Sequence, residues 1–115
     1  MSTKAETRDR VANDLGLLRL GQSLQYQDQA RIESGYDEVH ADLKTEGLAT
    51  WPLAGEVPTN LVPHVVALVV LNCADTYGVS QERMQRILLK ATTAKREINK
   101  IISPDYESLE DPTDY

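Results

Sequence analysis

His40, His64 and Cys73 are the side chains of this sequence best suited to catalysis or metal binding. The histidines fall on different predicted helices, and neither an HxxxH nor a Glu-x-x-His spacing brings two ligands onto one helix face. Cys73 lies within an apolar stretch, where a buried and inert thiol is expected. The sequence contains no glycine-rich phosphate loop and no nucleophile elbow. We therefore expect surface or helix-end histidines, no catalytic residue, no cofactor and no metal site, and a protein that is not an enzyme.

Composition narrows the class of protein. The 115 residues fit one domain with an aliphatic core, since the chain has one Trp and no Phe. A net charge of −6 argues against a dedicated nucleic-acid or anionic-membrane binder, because both concentrate Lys and Arg. The single cysteine excludes an intrachain disulfide, so a cytosolic origin is expected. The N-terminus is charged, and the longest apolar run, residues 65–71, is far shorter than the roughly 20 residues that span a bilayer, so no membrane partner is expected.

Hydrophobic periodicity and capping residues predict the secondary structure. Thr3 and Glu6 have the spacing of a capping box, which begins a first helix. Apolar residues recur at helical spacing in three later segments, and glycines at 16, 47 and 78 are expected to end the first three helices. Ser80 is the expected N-cap of the fourth helix. The predicted helices cover residues 4–14, 27–46, 61–78 and 81–102.

The predicted fold is an all-α bundle over residues 1–102, with a long loop at 47–60, followed by an acidic C-terminal tail at 103–115. The tail holds five of the eighteen acids and no base, which leaves 13 acids and 12 bases in the bundle. Aromatic and leucine side chains among these acids favour a segment that orders by docking on a partner; a frayed, solubilising tail is the alternative. The tail residues predicted to contact a partner are Asp105, Tyr106, Glu107, Leu109, Glu110, Asp111 and Tyr115.

Two connecting segments are more apolar than loops require. The stretch LGLLRLGQSLQY at 15–26 joins the first two helices. A turn between helices does not require the apolar side chains of Leu20 and Leu24. We expect a neighbouring subunit to cover them; the alternative is burial within one chain. In the 47–60 loop, Trp51 either closes one end of the bundle or, with Leu53, anchors a subunit interface.

The charges of the second and fourth helices are opposite. The second carries six acids against two bases, and the fourth carries six bases, including Arg83, Arg86 and Lys90, against two acids. One interpretation is two solvated faces with a few weak ion pairs. The other is that the basic face of one subunit meets the acidic face of the next, and such a head-to-tail contact forms a ring when its rotation closes. Arg83, Arg86 and Lys90 are therefore candidate subunit-interface residues.

Three segments in order resemble the head-to-tail adaptor (connector, head-completion or neck) proteins of tailed bacteriophages. These segments are VANDLGLLRLGQSL from Val11; Tyr36 to Leu43 with the following EGL and Trp51-Pro52; and LVPHVVALVVLNCADTYGV from Leu61. The resemblance lies in a first helix ending in Leu-Gly, an acidic-Gly-apolar turn before a Trp, and a third helix ending in Tyr-Gly. It covers about residues 11–102.

The resemblance implies a structural virion protein. Such adaptors assemble as a homo-oligomeric ring, expected to be twelve-fold, beneath the portal protein. The ring extends the DNA channel, helps to retain packaged DNA and carries the next neck or tail protein. By position, residues 105–115 would dock on the portal. The expected location is the virion neck, after synthesis in the host bacterial cytoplasm.

Two other functions compete with this one. The chain is alternatively a non-viral acidic helical interaction module, antitoxin-like or regulatory, whose tail masks a basic surface. The third possibility is a small enzyme that uses His40 or His64. An acidic or mixed channel suits the adaptor hypothesis, because a lumen that lets DNA slide should not grip phosphates.

Overall fold

The computed structural model describes residues 1–17 and 23–102, and within these ranges the chain forms four α-helices. The predicted all-α bundle is confirmed. The first helix has the predicted bounds, whereas the third is shorter than predicted because a 3₁₀ turn stands at each end of it. The helices are α1 Lys4–Asp14, α2 Tyr26–Thr45, α3 Val62–Ala74 and α4 Gln81–Ile102, and the 3₁₀ turns are Thr59–Leu61 and Asp75–Tyr77.

Local sequence signals set several helix ends. The Thr3 hydroxyl accepts a hydrogen bond from the Glu6 amide at 3.1 Å, and the Glu6 carboxylate accepts one from the Thr3 amide at 2.8 Å. This reciprocal pair is the predicted capping box. Gly78 follows the second 3₁₀ turn with a φ of 59°, a left-handed conformation that side chains disfavour, so it ends the α3 segment as predicted.

α3 is the central helix of the bundle and packs against α1, α2 and α4. Its valines at 62, 65, 66, 69 and 70 are buried in the aliphatic core. By length and composition the 19-residue stretch Thr59–Tyr77, of mean hydropathy 1.2, would suffice to cross a membrane. The core helix of a bundle meets the same criterion, and the packing of three helices around α3 is what such a core helix shows.

A glycine lets α2 approach α3 closely. Gly35 is buried, and a Cβ at this position would lie 2.8 Å from both Asn72 Oδ1 and Cys73 Sγ. Real Cβ contacts are not that short, so only glycine fits this position without movement of its neighbours. Glycine has a lower helix propensity than alanine, but it occurs here because a larger side chain would not fit.

The long loop between α2 and the first 3₁₀ turn folds back onto α2. Trp51 Nε1 donates to the Tyr36 hydroxyl at 2.9 Å, and His40 Nε2 donates to the Trp51 carbonyl at 2.8 Å. The His40 and Trp51 rings also meet edge to face, with centroids 5.5 Å apart. The prediction of a surface or helix-end position is therefore wrong for His40, which is only 6% exposed, whereas the partly exposed His64 does lie in the first turn of α3.

Candidate interaction surfaces

A groove lies between α1 and α4, because both helices pack on α3 and leave space above it. Pro63, Ala67 and Val70 of α3 contribute to its apolar lining. Two adjoining cavities of about 360 and 720 Å³ make up the groove, and five residues line both of them. We refer to this feature as the α1–α3–α4 groove. The residues that line both cavities are Asp14, Pro63, Ala67, Arg86 and Lys90.

The α1–α3–α4 groove is basic. Arg10 of α1 and Arg83, Arg86 and Lys90 of α4 line it, against a single acid, Asp14. Arg83 donates a hydrogen bond to the Asp14 main-chain carbonyl, which links α4 to the end of α1. Among residues 1–17 and 23–102, none of these four bases forms a salt bridge. The groove therefore combines an apolar floor with unneutralised positive charge.

Most of the acids in or next to α2, in contrast, have polar partners within the chain. Lys4 and Arg8 of α1 pair with α2 carboxylates at 2.9 Å each, and Lys95 of α4 pairs with Glu46, just beyond α2, at 2.6 Å. Side chains of α3 and of the turn after it donate hydrogen bonds to two more α2 acids at 2.9 Å each. These contacts leave α2 without the unpartnered acidic face that the charge count suggested. The acids with such partners are Asp28, Glu33, Asp37, Glu38 and Glu46.

The contacts of Arg8 illustrate their effect on the pKa of a charged group. Burial by itself would lower the pKa of Arg8, but its hydrogen bonds to Glu33 and Asp9 outweigh that effect and raise the pKa. Through its contact with Glu33, the charged guanidinium ties α1 to α2. Because most of these ion pairs are partly exposed, each contributes about 0.2 to 1 kcal/mol at most.

A second, smaller groove runs on the other side of α4, between α2 and α3. Its volume is about 180 Å³, and Leu43, Leu68 and Leu71 give it an apolar lining. Lys95 and Asp42 bring one charge of each sign to its edge. This groove lacks the excess of positive charge found between α1 and α4.

Several large apolar side chains are exposed to solvent. Leu88 and Leu89 of α4 are 48% and 70% exposed, and Leu53 of the long loop is 42% exposed. Leu89 also lines the α1–α3–α4 groove, whereas Leu88 points about 200° away from both Arg86 and Lys90 around the helix axis. α4 thus presents an apolar outer position on one side and the basic groove on the other.

The residues predicted for a subunit interface do not lie together. The groove collects Arg83, Arg86 and Lys90, and Leu53 is exposed on a separate loop. The prediction is wrong for Leu24 and Trp51, because both side chains are packed into the core of one chain. Leu20 and the predicted tail residues Asp105, Tyr106, Glu107, Leu109, Glu110, Asp111 and Tyr115 lie outside the described residues.

Sequence reasoning missed other members of the groove. Arg10 and His64 line it beside the α4 bases, although they come from α1 and α3. No local sequence pattern predicts that either residue lines the groove, because their proximity to α4 depends on how α1 and α4 both pack on α3. The amphipathic pattern of a helix shows which side is buried, but not which neighbour lies beside its charged edge.

The candidate catalytic groups remain apart from the groove, except for His64. Cys73 is fully buried, and burial raises the pKa of its thiol, so the reactive thiolate is disfavoured. His40 is buried against Trp51 and Tyr36. Within residues 1–17 and 23–102, no group of three or more His, Cys, Asp or Glu side chains is placed to hold a metal ion.

Comparison of the chain with models of protein families, with curated proteins and with solved structures found no match. The function proposed for it therefore depends on its residues and on the surfaces described above.

Proposed function

We propose that this chain is a structural protein of a bacteriophage neck, a head-to-tail adaptor that forms a ring on the portal. In this role it extends the DNA channel, helps to retain packaged DNA and joins the head to the tail. The ring would be twelve-fold, with the portal on one side and the next neck or tail protein on the other. The resemblance of residues 11–102 to such adaptors is the origin of this proposal.

The observation that carries the proposal is the placement of the resembling segments in the fold. Each of them falls where a helix ends: Leu15-Gly16 after α1, Glu46-Gly47 after α2 and Tyr77-Gly78 after α3. All three glycines have positive φ, between 59° and 78°. The order of helix, turn and helix that the resemblance requires is therefore compatible with this bundle.

The exposed outer face of α4 supplies a candidate contact between neighbouring subunits. Leu88, at 48% exposure, is a large apolar side chain that a second chain would remove from water. Complete burial of a leucine side chain contributes about 1.5 to 3 kcal/mol, and covering the exposed half of Leu88 would contribute about half of that at each contact around a ring. A head-to-tail contact uses two different faces of each subunit, so the partner of this face lies elsewhere on the next copy.

Native mass spectrometry of the full chain, alone and mixed with the portal protein of the same phage, tests the proposal. We expect a ring on the portal, and we expect Leu88→Glu to weaken that assembly by placing a charge in an apolar contact. Tyr26→Glu is the matched control. It introduces the same glutamate at the start of α2, at a side chain that is 82% exposed.

A chain that neither binds the portal nor assembles on it would refute the adaptor proposal. Monomeric behaviour without the portal is compatible with it, because adaptors can assemble on their template alone. Equal loss of assembly in Leu88→Glu and Tyr26→Glu would show that the outer face of α4 is not the subunit contact.

A further inference from the structure

We propose that the acidic segment 103–115 of this chain folds back and lies in the α1–α3–α4 groove of the same molecule. The proposal concerns the free subunit and does not depend on the adaptor role. The proposed occupant is an acidic peptide with interspersed aromatic and leucine side chains. The groove that would bind it is basic and has an apolar floor.

Charge complementarity points to this segment. The groove presents four bases against one acid, and residues 103–115 carry five acids and no base. The acids of α2 are poor competitors for these bases, because five acids in or next to α2 already have partners within the bundle. The largest concentration of acid that remains in the chain is therefore the C-terminal segment.

The length of the segment fits the groove. Ile101 lies 11 residues beyond Lys90, which is three turns plus only about 20° on a helix, so the stripe of α4 that lines the groove leads to the start of the segment. At 1.5 Å per residue, Ile102 lies about 18 Å along α4 from Lys90 and about 29 Å from Arg83. Thirteen extended residues span up to about 45 Å, so the segment reaches the whole groove by running back along α4.

The sequence of the segment also favours a reversal over a longer helix. Pro104 lacks an amide hydrogen and restricts the residue before it, so it opposes continuation of α4 past Ser103. Tyr106 and Leu109 then have apolar surface to offer to the floor formed by Pro63, Ala67 and neighbouring residues.

Tethering favours the same molecule over a second copy. A short flexible connection gives an effective concentration in the millimolar range, above the concentration of other copies in a dilute sample. Individually weak, exposed ion pairs can therefore hold the segment in its own groove when they would not hold a separate peptide.

Paramagnetic relaxation in the full-length chain tests the proposal. A nitroxide is attached at Ser108→Cys, with Cys73 left in place because it is fully buried. We expect loss of amide signal intensity at Ala67, Arg86 and Lys90, and no loss at Asp42 on the other side of α4. Raising NaCl to about 1 M, where the Debye length is about 3 Å, should restore most of the lost intensity.

Charge reversal supplies the matched variants. Arg86→Glu combined with Lys90→Glu should abolish the intensity loss in the groove, since both side chains line it and both are exposed. Lys44→Glu should leave the loss intact, because Lys44 is an exposed base of α2 that lines neither cavity of the groove. Unchanged circular dichroism and melting temperature establish that each variant folds.

Three results would overturn the proposal. Intensity loss confined to the last turn of α4 would show that the segment stays away from the groove. Loss that persists when isotope-labelled chains without nitroxide are mixed with nitroxide-bearing chains without isotope would place the segment on a second copy. Equal effects of the groove and Lys44 variants would show that overall charge, and not this groove, attracts the segment. The adaptor proposal is unaffected by each of these results, since none of them involves the portal.

Discussion

Replacing Gly35 by Ala tests the close approach of α2 and α3. In an ordinary exposed helix this change stabilises by about 1 kcal/mol, because alanine has the higher helix propensity. Here the new methyl group would lie 2.8 Å from Asn72 Oδ1 and from Cys73 Sγ, and 3.4 Å from Arg31 Nη1. The structure therefore predicts the opposite sign.

The magnitude follows from what must move. Asn72 cannot swing away freely, because it accepts a hydrogen bond from Arg31 at 3.3 Å and donates one to Glu38 at 2.9 Å. Overpacking a well-filled site costs about 1 to 3 kcal/mol, and a displaced hydrogen bond adds about 0.5 to 1.5 kcal/mol. After subtraction of the propensity gain, we expect Gly35→Ala to lower the free energy of unfolding by about 0.5 to 3.5 kcal/mol.

Urea and thermal unfolding followed by circular dichroism measure this change, with an expected fall in melting temperature of roughly 4 °C for each kcal/mol lost. Ser34→Ala is the control, since Ser34 is an exposed neighbour in α2 and should gain a few tenths of a kcal/mol from propensity alone. In a double-mutant cycle, Cys73→Ala should reduce the cost of Gly35→Ala by removing the sulfur atom. A Gly35→Ala protein as stable as the wild type, or more stable, would refute the packing described here.

Two further substitutions test polar contacts of tyrosine. Tyr36→Phe leaves the buried Trp51 indole N–H without its acceptor, so we expect a loss of about 1 to 3 kcal/mol in urea unfolding, against little change for Tyr26→Phe at an 82% exposed site. Burial, and then the hydrogen bond to Asp28, raise the pKa of Tyr77 to about 12 from an ordinary value of 10. The unfolded chain therefore loses this proton first, and the contribution of Tyr77 to stability, complete below pH 10, disappears as the pH rises towards 12. Urea unfolding across that range should show a smaller alkaline loss for Tyr77→Phe than for the wild type, and equal losses would contradict the assignment.

Local signals in the sequence predicted the helices well. The capping box at Thr3 and Glu6 and the glycines at 16, 47 and 78 act over a few residues, so their effects are visible in the sequence itself. The ends of α3 were predicted less accurately, because Thr59–Leu61 and Asp75–Tyr77 adopt 3₁₀ turns that continue the helical pattern with tighter hydrogen bonding.

Contacts between distant segments account for the other differences. His40 lies at the edge of the apolar face of α2. It is buried because the long loop folds back and brings the Trp51 carbonyl to it. The neutralisation of α2 depends on bases of α1 and α4, and the membership of Arg10 in the groove depends on helix packing. Charge counts along single helices carry neither kind of information, because they do not show which helices are neighbours.

The burial of Trp51 allows its fluorescence to report on the position of the long loop. The chain has one tryptophan, so its fluorescence comes from a single site, where the indole is 5% exposed and hydrogen-bonded to Tyr36. A red shift in emission therefore signals departure of the long loop from α2, whereas circular dichroism reports the helices. Where the two signals change at different urea concentrations, the loop and the bundle open as separate cooperative units, and where they coincide the loop belongs to the folding core.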